Sequence, residues 1–150
     1  MLRVATTILT GLLAGALCLE GVVLVPYWRT LESAAFAELH LGFAPRLCRF
    51  FAPLTTAAVS ISVASGVAVF WEPNRNRADW FAAVSTLLAA SLLAFYRLYF
   101  HAANKRLPGL AGAGDDVALA VELRRWQRTH RIRTGVSVAA FVLSTLSVAS

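Results

Sequence analysis

Four long apolar segments separated by polar connections dominate the hydrophobic pattern of this chain. They cover approximately residues 4–25, 50–71, 80–101 and 131–150, and the second contains no charged residue. A membrane-spanning helix needs about 20 consecutive apolar residues, so each segment qualifies. In the hydrocarbon core every backbone polar group must be bonded within the protein, and helices do this segment by segment. The pattern therefore predicts an all-α fold, an integral membrane four-helix bundle that forms one domain over residues 1–150.

The connections carry further helix signals. Asp115 and Asp116 suit a helix start, and no glycine or proline follows before Gly135. We therefore expect the last helix to begin near Asp116 and to extend beyond the membrane over about 34 residues. Residues 108–114 are rich in glycine and predict a flexible turn. The first connection, residues 26–49, is expected to be partly helical, with kinks or restarts at Pro45 and Pro53.

Composition and charge support the membrane class. The chain is 58% hydrophobic with a mean hydropathy of +0.64, yet its few charged residues give a net charge of +6. The lipid bilayer is thus its expected partner, and nucleic acid is not. Lys and Arg concentrate on the side of connections 1 and 3, which predicts that these face the cytoplasm of a bacterial inner membrane. We expect the first span to be retained, and the Gly11–Gly15 pattern in it suits packing within the chain or a homo-oligomer.

Two polar stripes indicate a candidate site near one membrane face. Arg97, His101 and Asn104 have the spacing i, i+4, i+7, as do Trp126, His130 and Arg133. Span counting places both stripes on the side that also holds His40 and approaches Glu20, the only charge in the first span. Ionisable groups at that depth are costly and point to a site.

The residues alone leave several chemistries open. His40, His101 and His130 are candidate metal ligands, and a histidine pair could hold haem, although the spacing matches no metal motif. The cofactor is therefore unassigned, with haem or copper as the alternatives to none. The residues are also compatible with a non-catalytic accessory or lipid-binding protein whose arginines face anionic headgroups. The chain has no glycine-rich nucleotide loop and no nucleophile elbow.

Two motifs resemble those of the anthrone oxygenase-like family of small membrane proteins. Residues 104–107, Asn-Lys-Arg-Leu, resemble its Asn-x-x-Leu signature, and residues 126–133 resemble its Trp-x-x-x-His-x-x-Arg segment. The Pro-Tyr-Trp end of span one, residues 26–28, also fits. The resemblance implies four membrane helices and the oxidation of an anthrone- or quinone-like aromatic substrate by dioxygen, without a familiar cofactor motif.

Residue roles follow as expectations from this resemblance and from the convergence on one membrane face. Glu20 or His130 would act as general base, and Arg133 would stabilise a phenolate. Trp126 would stack on the substrate ring, and Asn104 would fix the substrate or a neighbouring helix end. The candidate catalytic residues are Glu20, His130 and Arg133, and the candidate substrate-binding residues are Trp28, His40, Asn104 and Trp126.

Overall fold

A computed structural model describes all residues 1–150, and it is 90% helical with no strands. The four helices are α1 (Leu2–Trp28), α2 (Ser33–Phe70), α3 (Arg77–Gly112) and α4 (Asp116–Ala149). Each is long and apolar enough to cross a bilayer, as a multi-pass integral membrane protein requires. The predicted all-α four-helix bundle is confirmed.

The helices form a bundle in which neighbours along the chain are neighbours in space. α1 packs against α2 and α4, and α3 packs against the same two helices. The short connections make successive helices antiparallel. The larger apolar cluster lies towards the α1–α2 and α3–α4 connections and includes Trp28, Phe36, Phe100 and Trp126. A smaller one, with Leu13 among its members, lies nearer the middle of the bundle.

Two helices contain a wider, π-helical turn, which the sequence pattern did not predict. It occupies residues Glu20–Leu24 in α1 and Tyr96–Phe100 in α3. A π turn takes one more residue than an α turn, so the side chains after it leave the 3.6-residue register. The second turn falls inside the stripe of Arg97, His101 and Asn104, whose predicted common face assumed an uninterrupted α-helix.

The connections are shorter than predicted because the helices continue through their prolines. The first connection is only residues 29–32, and α2 runs through Pro45 and Pro53 without a restart. The expected flexible turn at 108–114 is wrong for residues 108–112, which extend α3 as helix. A proline removes only one backbone hydrogen bond, and the packed helix continues past that loss.

The turn between α3 and α4 is therefore confined to three residues. Gly114 adopts a φ of +69°, a conformation that side chains disfavour. The Asp115 side chain then accepts a hydrogen bond from the backbone N–H of Ala118. This N-cap starts α4 at Asp116, and the helix contains 34 residues, so its predicted start and length are confirmed.

At the opposite end of the bundle, hydrogen bonds and an ion pair hold the helix ends together. Asn76 and Asp79 form a reciprocal capping box at the start of α3. Arg3 forms an ion pair with Asp79 and also donates a hydrogen bond to the Ser147 carbonyl, which joins α1, α3 and α4. A Cβ at Gly11 would lie 2.8 Å from the Phe141 ring, so this glycine serves packing within the chain.

Candidate functional site

A cavity of about 380 Å³ lies within the half of the bundle that contains both π turns. All four helices contribute to its wall, and 13 of its 20 lining residues are hydrophobic. An apolar lining with a few convergent polar groups is typical of a small-molecule site. Its buried floor includes Leu13 and Leu17 from α1, Leu92 and Phe100 from α3, and Trp126 from α4.

The polar part of this floor is an ion pair between α1 and α4. Nη2 of Arg133 lies 3.1 Å from Oε2 of Glu20, and both side chains are largely buried. The guanidinium carbon of Arg133 also lies 4.1 Å from the centre of the Phe100 ring, a cation–π contact. Nε of Arg133 is buried without a hydrogen-bond partner. A paired carboxylate and guanidinium therefore face an apolar space, with one donor still unused.

His130 lies behind this ion pair and not in the cavity wall. Its Nε2 is 3.0 Å from the Leu17 carbonyl, which can only accept, so Nε2 carries the proton. Its Nδ1 lies 3.0 Å from Nη2 of Arg133 and accepts a hydrogen bond from it. Both ring nitrogens are thus engaged, in a neutral imidazole that holds Arg133 towards Glu20. This geometry does not favour His130 as the general base, because neither nitrogen faces the cavity.

Gly21 makes the approach of His130 possible. A Cβ at this position would lie 3.1 Å from both Cδ2 and Nε2 of the His130 ring, which is closer than side chains normally pack. The glycine directly follows Glu20, so the same segment of α1 supplies the carboxylate and the space for its supporting histidine. Sequence reasoning missed this role, although a glycine beside a mid-span carboxylate was an available signal.

Aromatic rings connect the two ends of the site. The Trp126 ring stacks on the His130 ring at 4.9 Å between centroids, with 9° between the planes. It meets Trp28 edge-on at 5.6 Å, and Trp28 in turn meets His40 edge-on at 6.4 Å. Nε1 of Trp126 donates a hydrogen bond to Oδ1 of Asn104 at 2.8 Å. Both indoles are buried, so their rings form rigid walls of the cavity.

The proline of α3 leaves a backbone carbonyl without its helical donor close to His40. Pro108 has no N–H, so the carbonyl four residues earlier, at Asn104, loses its usual helical donor. The His40 imidazole approaches this backbone group of Asn104. Its Nε2 is buried and has no hydrogen-bond partner. His40 also stacks on Phe36 at 5.4 Å, which fixes the ring at the cavity wall.

Six of the seven predicted site residues line this one cavity: Glu20, Trp28, His40, Asn104, Trp126 and Arg133. The seventh, His130, contacts three of them from behind: Glu20, Trp126 and Arg133. Arg97 lines the cavity as well, whereas its stripe partner His101 is exposed, lies outside the wall and packs on Tyr96. The apolar floor residues were not predicted, because an apolar side chain facing a cavity and one facing lipid look alike in sequence.

The three histidines do not come together as ligands of one metal ion or as a pair on one haem. No group of three or more His, Cys, Asp or Glu side chains is arranged to hold a metal ion. His40 and His130 belong to opposite ends of the aromatic series, with Trp28 and Trp126 between them. His101 joins neither. The two cysteines, Cys18 and Cys48, are free thiols.

Comparison of the chain with protein-family models, curated protein sequences and solved structures found no match. The resemblance to anthrone oxygenase-like proteins therefore stays a prediction.

Proposed function

We propose that this integral membrane protein is an oxygenase-type oxidoreductase that oxidises a small, apolar, anthrone- or quinone-like aromatic in the cavity. The observation that carries the proposal is the Glu20–Arg133 pair at the floor of an otherwise apolar space. A buried carboxylate beside a guanidinium suits removal of a proton and stabilisation of the resulting anion. The indole walls of Trp28 and Trp126 suit a flat aromatic ring.

The proposed reaction balances with dioxygen as the oxidant. Glu20 accepts a proton from the acidic CH₂ group of the anthrone, and Arg133 stabilises the enolate oxygen. The carbanion then reacts with O₂, and a new C–O bond forms at that carbon. The remaining C–H bond of that carbon and the O–O bond then break, the C–H electron pair completes the C=O bond, and the second oxygen leaves as water with the proton from Glu20 and the released hydrogen. Anthrone plus O₂ gives anthraquinone plus water, and the carbon loses the four electrons that O₂ takes up.

The test is turnover by the purified protein in lipid vesicles. With hydroxylated anthrones as substrates, we expect oxygen uptake and quinone absorbance to rise together in equal molar amounts. Glu20→Gln should reduce the rate by about 10²–10⁴-fold, the usual contribution of a general base. Glu38→Gln is the matched control, because Glu38 is exposed on α2 and lies outside this cavity. No turnover with any anthrone, or full turnover in Glu20→Gln, would overturn the proposal.

We further propose that the cavity end of the bundle faces the cytoplasm of a bacterial inner membrane. Only three of the 14 Lys and Arg residues, Arg3, Arg75 and Arg77, belong to the opposite end. The excess of basic residues near the α1–α2 and α3–α4 connections follows the positive-inside rule. A reporter that is active only in the cytoplasm should be silent when fused after Ser150 and active when inserted after Ala113. The reverse result would contradict this orientation.

A further inference from the structure

The cavity is closed on one side and open on the other. The part of its floor on α1 and α4 is deeply buried: Leu13, Leu17 and Trp126 are each no more than 3% exposed. On the facing side, six exposed lining residues of α2 and α3 form the mouth: Cys48, Ala52, Thr56, Leu93, Tyr96 and Arg97. The three from α2 are four residues apart, so they follow one helix face. The opening therefore lies between the sides of two helices and not at an end of the bundle.

The position of the mouth along the bundle axis can be inferred from the charged residues of α2 and α3. α2 has no charged residue from Phe50 to Phe70, and α3 has none from Trp80 to Tyr96. Arg49 and Arg97 stand directly at the border of these charge-free stretches. The mouth begins at this border and extends along α2 into the charge-free stretch as far as Thr56, about 12 Å from Cys48. It thus opens onto hydrocarbon just inside the headgroup region.

The polar floor lies at the same border. Glu20 follows a charge-free stretch of α1, and Arg133 precedes the charge-free end of α4. A ligand whose acidic group meets these two residues has its ring in the cavity and its far side at the mouth. Any substituent there continues into the bilayer core, where an apolar chain is soluble and a polar one is not.

We propose that the ligand enters sideways from the bilayer through the mouth between α2 and α3. Its class is an amphiphile with a hydroxylated aromatic head in the cavity and an apolar chain that stays in the lipid. This inference rests on the proposed function only in placing the acidic head at Glu20 and Arg133.

The experiment compares two probes with the same head in phosphatidylcholine vesicles: 6-bromo-2-naphthol, and the same naphthol carrying an n-decyl chain. Bromine quenches the fluorescence of Trp28 and Trp126 on binding. Trp71 and Trp80 are exposed at the opposite end of the bundle, so Trp71→Phe/Trp80→Phe serves as the background protein. Half-saturation is expressed as the mole fraction of probe in the membrane. We expect the background protein to bind both probes.

Substitutions that fill the mouth should weaken binding of the decyl probe more than binding of the short probe. Ala52→Phe, and independently Thr56→Phe, should weaken the decyl probe about tenfold while changing the short probe less than about threefold. Ala64→Phe is the matched control, because Ala64 is exposed on the same helix outside the cavity, and it should change neither. The proposal is overturned if the background protein excludes the decyl probe. It is equally overturned if both closures weaken the two probes alike, or if Ala64→Phe has the same effect as they do.

The outcome is independent of the chemistry, because quenching is measured under argon and requires no turnover. Selective weakening of decyl-probe binding by the two closures, without any anthrone oxidation, would reject the oxygenase function and support entry through the mouth. Anthrone oxidation in a protein that excludes the decyl probe would do the opposite.

Discussion

The two halves of this bundle are built from the same four helices but handle polar groups differently. The closed half comprises residues 3–10, 58–70, 77–89 and 137–149, and the open half comprises residues 17–28, 33–56, 92–112 and 116–133. In the closed half, hydroxyl groups bond to neighbouring helices: Ser85 donates to the Ala140 carbonyl and Thr86 to the Ser62 carbonyl. In the open half, aromatic and charged side chains surround a cavity.

Buried polar atoms without a hydrogen-bond partner are more frequent in the open half than in the closed half. Four buried side-chain polar atoms have no hydrogen-bond partner, and three belong to the open half: His40 Nε2, Tyr99 OH and Arg133 Nε. An unpartnered buried polar group costs about 1–3 kcal/mol, so a fold optimised only for stability would bond it. His40 and Arg133 line the cavity, so two of these unpartnered atoms belong to side chains that a ligand there can meet.

The largest expected effect is on stability, and it differs between the ion pairs of the two halves. Arg133→Leu leaves Glu20 buried without its cation and should lower the free energy of unfolding by about 3–5 kcal/mol. Arg3→Leu should cost only about 1 kcal/mol, because the Arg3 side chain is 32% exposed and Asp79 keeps its bond to the backbone of Asn76. Unfolding in detergent micelles, followed by circular dichroism, measures both.

A double variant checks the reason for that difference. Glu20→Leu/Arg133→Leu removes both charges and should recover most of the stability that Arg133→Leu loses. If the double variant is as unstable as the single one, the cost does not come from an unpaired carboxylate at position 20.

Gly21→Ala should have the next largest effect. The added methyl group meets the His130 ring at 3.1 Å, and such overpacking costs about 1–3 kcal/mol. Gly15→Ala is the control on the same helix, because a Cβ there meets nothing within 4 Å, and it should be neutral or slightly stabilising. Thermal unfolding of both variants decides the point. Equal melting temperatures would show that His130 has room to move.

Trp126→Phe tests the aromatic wall. It removes the indole donor to Asn104 and should cost about 1 kcal/mol in stability. It should also weaken binding of 6-bromo-2-naphthol, because the ring facing the cavity becomes smaller. Trp80→Phe, on an indole that is 62% exposed at the other end, should change neither quantity. Unchanged naphthol affinity in Trp126→Phe would remove this indole from the binding wall.

The smallest expected effect belongs to the closed half. Thr10→Val removes the 3.1 Å contact between the hydroxyls of Thr10 and Ser144 and keeps the side-chain shape. Hydrogen bonds of this kind between membrane helices contribute about 0.6 kcal/mol on average. Stability should fall by that amount, and naphthol affinity should stay the same. A clear loss of affinity would show that the two halves are coupled.

The fold was largely predictable from the sequence, because membrane-spanning helices are recognisable by the length and low polarity of their segments. The start of α4 at Asp116 followed from a capping pattern, and the structure confirms it. The π turns and the helix through Pro108 were missed, since both depend on tertiary packing that propensities do not contain. For the candidate site, the ionisable residues could be located from their cost in a membrane, and Trp126 from its helical spacing to His130 and Arg133. Floor residues such as Leu17 and Phe100 could not, because nothing in their chemistry separates cavity from lipid.

The π turn at Glu20–Leu24 makes the spacing between the two halves depend on a single residue. If the same residues formed a regular α-helix instead, all that follows would be rotated by about 100° relative to the start of α1. With the first turns of α1 held by Arg3 and Thr10, that rotation would carry Trp28 out of the cavity wall. The wide turn is therefore as much a determinant of the site as any side chain, because it sets which residues beyond it face the cavity.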